Sequence, residues 1–192
     1  MVIAIIGILI SITIPLTSSL PASKELSSEA DNLTSRINYC RLLAVSSGRP
    51  VELRFYLQPV LQVRDDEFYR ATQVLTTDAE GIFQPEGRIQ AFSGKVILSL
   101  NDEFSSILAG EPEAPDPNAA STGNKLARNL RYKPLRFLPE GSVALGRGAD
   151  KHWTLTFLNW EPNMKEAELP PDFVTLQVDP FTAKVRRYEP GH

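Results

Sequence analysis

Cysteine and histidine are almost missing from this 192-residue chain, which holds one cysteine, Cys40, and two histidines, one of them the C-terminal residue. A lone cysteine excludes an internal disulfide framework and a Cys-rich zinc site. So few histidines leave little material for a His-based catalytic or metal centre. An excess of basic charge is missing as well. With 20 Lys and Arg against 23 Asp and Glu the formal net charge is −3, which removes the electrostatic footprint expected of a nucleic-acid binder. Apolar residues are not scarce: at 42% they suffice for a core and argue against disorder. These absences point away from an enzyme, and no cofactor is expected.

The most informative absence is local. No charged side chain occurs before Lys24. Within that stretch Val2, Ile3, Ile5, Ile6, Ile8, Leu9, Ile10, Ile12 and Ile14 form an apolar run broken only by Ala4, Gly7, Ser11 and Thr13, with Pro15 and Leu16 at its end. Each central isoleucine favours a bilayer by about 0.3 to 0.6 kcal/mol, so the run as a whole prefers lipid by several kcal/mol. Its length falls short, since sixteen helical residues span roughly 24 Å against a hydrocarbon thickness of roughly 30 Å. A cleaved secretory signal would place a basic region ahead of the apolar run, and Ser18–Ser23 offers a poor small-residue cleavage site. A buried core helix would carry a polar face, of which Gly7, Ser11 and Thr13 are a poor version. The run therefore reads as a membrane helix whose upstream part precedes Met1. Gly7 and Ser11 form a small-xxx-small pair that lets two such helices approach closely.

Behind Pro15 and Pro21 the pattern becomes amphipathic. Ser23 is the expected N-cap, and Leu26, Ala30, Leu33, Ile37, Cys40 and Leu43 or Ala44 recur at spacings of three and four. Gly48 and Pro50 should end this helix. Cys40 on the apolar stripe reads as a small buried hydrophobe and not as a reactive thiol. A helix of about 25 residues is roughly 38 Å long, so its membrane-proximal end should project from a small domain.

From Val51 the period is two. Val51–Gln58 alternates, with Val51, Leu53, Phe55 and Leu57 facing inward. Further strands are expected at Phe68–Thr76, Lys95–Leu100, Tyr132–Leu138, His152–Leu158, Phe173–Val178 and Lys184–Tyr188, the last two joined by the turn Asp179–Ala183. Pro134 should confine its strand to an edge or a bulge. The expected fold class is α+β, a long N-terminal helix packed on an antiparallel sheet or sandwich. The chain divides into an apolar segment at 1–22, an amphipathic helix at 23–48 and a β-domain at 49–192. Within the last, Ala109–Asn124 carries three prolines, three acidic residues and no large apolar side chain, so a mobile surface loop is expected there.

The segment Val2–Pro15 resembles the N-terminal helix of type IV pilins and type II secretion pseudopilins. In those proteins a short basic leader and a Phe-Thr-Leu-x-Glu element precede the sequence Ile-Ala-Ile-Ile-Gly-Ile-Leu, with a proline eight residues after the glycine, the spacing that Gly7 and Pro15 keep here. The leader, the cleavage glycine and the family's glutamate would all lie before Met1, which points to a start codon further upstream. Leu135–Ser142 is similar to the Phe-x-Pro-Asp-Gly-Ser element of GspH/FimT-like minor pseudopilins. Leu176–Arg186 is similar to their closing strand pair, with Ala183 in place of the usual glycine. Glu67–Arg70 and Ser93–Ser99 also resemble the prepilin-like family called Verru_Chthon cassette protein D. The resemblance implies a pilin-like fold and a structural subunit of a type IV pilus or type II secretion-like filament. It would be held single-pass in the inner membrane with the β-domain on the external side. The implied partners are other pilin-like subunits packed through the N-terminal helix, and a prepilin peptidase if an upstream leader exists.

Other chemistry is weaker. Asp65-Asp66-Glu67 and Asp78-x-Glu80 are carboxylate groups that could attract calcium, yet neither has the alternating spacing of a calcium loop, so solvated turns are the better reading. Gly146–Asp150 lacks the strand-to-helix setting of a phosphate loop. His152 has no partner histidine nearby and reads as a strand residue at the sheet surface. No catalytic, cofactor-binding or metal-binding set is expected. The competing reading is a secreted, monomeric β-rich binding protein whose apolar end is only a transport signal.

Overall fold

A computed structural model describes residues 19–60, 63–115, 129–146, 152–162, 164 and 168–190. The membrane segment expected at Val2–Pro15 lies outside the described residues.

Helix α1 (Ser19–Ser47) carries its apolar stripe on one face. Leu26, Ala30, Leu33, Ile37, Cys40 and Ala44 are all at most 1% exposed, at alternating spacings of four and three that keep one side of a 3.6-residue period against the core. Leu43 is half-buried against the same core. Ser23 is not the N-cap: it lies inside the helix, which already runs through Pro21. The proline ring holds φ near the helical value, and the amide it lacks would have bonded a carbonyl ahead of Ser19, so no bond is lost within the described helix. At the other end Gly48 takes a φ of +65°, the left-handed turn that closes a helix and that glycine adopts without strain.

The strands are β1 (Val51–Val60), β2 (Val63–Thr77), β3 (Phe83–Pro85), β4 (Gln90–Ala91), β5 (Val96–Leu98), β6 (Tyr132–Phe137), β7 (Thr154–Asn159), β8 (Phe173–Val178) and β9 (Val185–Tyr188). They form one antiparallel sheet in the order β6-β1-β2-β5-β7-β8-β9, with β3 and β4 also pairing β2. The fold is α+β, one helix on an antiparallel sheet, as the residue pattern requires. Strand β6, which contains Pro134, is outermost, the place a residue without an amide donor can occupy. The short strands β3 and β4 escape the sequence pattern because two or three residues show no period.

The sheet is two half-sheets with a narrow seam. Strands β2 and β5 share only the register pair Tyr69↔Leu98, beside which Phe92 N–H donates to Arg70 C=O at 2.7 Å. Helix α1 packs on β1, β2 and β6 of one half and on β5, β7 and β8 of the other, so its apolar stripe bridges the seam. The halves meet again where Val143 N–H donates to Pro180 C=O at 2.8 Å. In the β8–β9 turn Ala183 is fully buried at a φ of +52°. That left-handed backbone is the reason a glycine would be at home there.

Part of the acidic segment after Ala109 is not a free loop. Glu113 exchanges both backbone bonds with Tyr132, at 2.7 and 3.2 Å, and so adds a bridge to the outer side of β6. Residues 116–124 lie outside the described residues.

Candidate functional site

Of the residues singled out for chemistry, those in described positions are held as structural turns and surface contacts. The Asp78 carboxylate accepts from Ile82 N–H at 2.8 Å, Glu80 N–H at 3.1 Å and Gln84 Nε2 at 3.1 Å. Those bonds, the Ile82 amide first, hold it below the ordinary carboxylate range. Its lone pairs close a turn and are not left free for an ion. Glu67 pairs with Arg131 at 2.7 Å on the surface, while the side chains of Asp65 and Asp66 lie outside the described residues. No cluster of three or more His, Cys, Asp or Glu able to hold a metal occurs among the described residues. His152 is exposed, and its Nδ1 meets Gln177 Nε2 at 2.9 Å. Gln177 also accepts from the Tyr188 hydroxyl at 2.9 Å, which makes a surface ladder across β8 and β9. Gly146 C=O accepts from Trp153 Nε1 at 3.0 Å; residues 147–150 lie outside the described residues. Cys40 is buried, and burial pushes its thiol up to about 12 despite the nearby Arg36, so the sulfur is neutral and enclosed.

Sequence periodicity missed a buried polar cluster. Glu52, Arg54 and Tyr56 alternate with the inward residues of β1, and all three are buried as well. The Glu52 carboxylate accepts from Arg54 Nε at 2.9 Å, Arg136 Nη2 at 2.5 Å and Arg136 Nε at 3.1 Å. The Arg54 guanidinium lies 4.3 Å from the centre of the Tyr132 ring. Tyr56 donates its hydroxyl to Gln73 at 2.9 Å, and Gln73 Nε2 reaches Gly87 C=O at 2.7 Å. The one available signal was opposite charge at Glu52 and Arg54, two residues apart on one strand side.

Among the described residues, two clefts open beside helix α1. One, about 310 Å³, lies between the helix and the β2–β4 edge and includes Arg36, Tyr39, Thr72, Arg88 and Gln90 in its wall. The other, about 280 Å³, lies where the helix passes β8 and the chain after β9, with Lys24, Asp172 and Glu189 in its wall. Arg187 closes that end, pairing with Asp31 at 2.6 Å and with Ser27 and Glu189. On the outer side of α1, Tyr39, Leu42 and Val45 are each about half exposed or more, at a spacing of three. Among the described residues no helix is long and apolar enough to cross a membrane.

No family model and no curated protein matches the chain. Among solved structures it is similar to the minor pseudopilin EpsH from the type 2 secretion system of Vibrio cholerae, at 14% identity and a TM-score of 0.47, over 88% of this chain and 99% of that one. A score below 0.5 at that identity leaves function to be argued from the chain itself.

Proposed function

We propose that the chain is a pilin-like structural subunit of the minor-pseudopilin kind. Its apolar N-terminal segment holds it in the inner membrane and packs against the same segments of other pilin-like subunits in a filament. The observation that carries this reading is how soon after the apolar run the described helix begins. The backbone is already helical at Ser19, three residues beyond an apolar run ending at Leu16, and from Leu26 the same helix is bolted to both half-sheets. A lipid-soluble segment thus runs directly into a helix fixed to a folded domain. Thrust or anchorage applied to the segment reaches the domain through a rod of about 43 Å.

In this reading the domains at 1–22, 23–48 and 49–192 act as anchor, rod and outward-facing head. Leu26, Ala30, Leu33, Ile37, Cys40 and Leu43 join rod to head. Val2, Ile3, Ile5, Ile6, Gly7, Ile8, Leu9, Ile10, Ser11, Ile12, Ile14 and Pro15 make the anchor. The role is structural, with partner choice carried by the head. Where a leader precedes the anchor, a prepilin peptidase is the processing partner.

The test is membrane retention. Expressed in bacteria, the chain is expected in the membrane pellet after an alkaline carbonate wash, and Ile5→Lys combined with Ile8→Lys is expected to release it. A wild-type chain recovered in the wash, beginning near Ser23, overturns the proposal.

A further inference from the structure

We draw no further inference here: the strongest candidate, the exposed apolar stripe of Tyr39, Leu42 and Val45 on the outer side of helix α1, rests on exposure alone, and nothing in the structure shows what covers it.

Discussion

The two sides of strand β1 are both buried, and different forces hold them. On the side beneath helix α1, Val51, Leu53, Phe55 and Leu57 pack with the helix stripe in a core of aliphatic and aromatic side chains. On the other side Glu52, Arg54 and Tyr56 are enclosed between β6 and the β3–β4 segment, and the enclosure is held by an ion-pair cluster and a tyrosine–glutamine relay. The apolar side tolerates changes in detail, because burial of area is non-directional. The polar side is directional, and losing one partner strands another.

The largest effect expected from this contrast is at Glu52. Glu52→Ala takes from the Arg54 guanidinium, whose side chain is 5% exposed, the carboxylate that it pairs with at 2.9 Å, and a loss of about 3–5 kcal/mol is expected in chemical denaturation. Replacing both partners, as in Glu52→Leu with Arg54→Leu, is expected to cost much less, since both buried charges of the pair are then gone and Arg136 is half exposed. If the double variant is as unstable as the single one, the cluster is not held by pairing.

On the apolar side Ile37→Ala removes a fully buried side chain from the helix stripe, with an expected loss of about 2–4 kcal/mol. Because α1 bridges the seam between the half-sheets, that loss should also loosen the place where the halves meet again, read as faster hydrogen exchange at Val143, whose amide bonds Pro180 C=O. Cys40 reports the same event. Its enclosed, neutral thiol should react with a disulfide reagent only as fast as the helix lifts from the sheet, and Ile37→Ala should speed that reaction more than Leu42→Ser does.

A smaller effect is expected at the β8–β9 turn. The Asp179 carboxylate accepts from Thr182 N–H at 2.8 Å, Phe181 N–H at 2.9 Å and Thr182 Oγ1 at 3.0 Å, so Asp179→Ala should cost about 1 kcal/mol. The Thr182 amide foremost, with Arg186 adding its charge, holds this carboxyl below its ordinary value. A group whose folded pKa is depressed stabilises fully above its unfolded value, near about 3.9, and loses that contribution as pH falls through the lower folded value. The stability curves of wild type and Asp179→Asn should therefore approach each other as pH falls below the ordinary carboxylate range. Smallest of all, Leu42→Ser should change stability by less than about 0.5 kcal/mol, because the side chain is mostly in solvent.

The apolar side was legible in the sequence because its periods are long. Six helix positions from Leu26 to Ala44 repeat at 3.6, and Val51 to Leu57 repeats at 2, so helix, first strand and the face each presents follow from pattern alone. The polar side was not legible. Alternation says which residues share a side of a strand, and nothing about whether later segments such as β6 will cover that side. The clefts are harder still, since Arg36, Thr72, Arg88 and Gln90 come from three separate stretches brought together by pairing along β2. Pro21 misled in the opposite direction: a proline read as a boundary lies inside the helix. Gly7 and Pro15, on which the family resemblance rests, lie outside the described residues, so the anchor must be tested on the protein itself.

The most direct test uses the late arrival of the first basic residue. Trypsin has no site before Lys24, so digestion of the membrane-bound protein should release the whole apolar segment on one peptide ending at Lys24, identifiable by mass. Recovery of that peptide from protein in the membrane pellet is the predicted result. A chain found dissolved outside the membrane, whose first peptide begins near Ser23, would contradict the account.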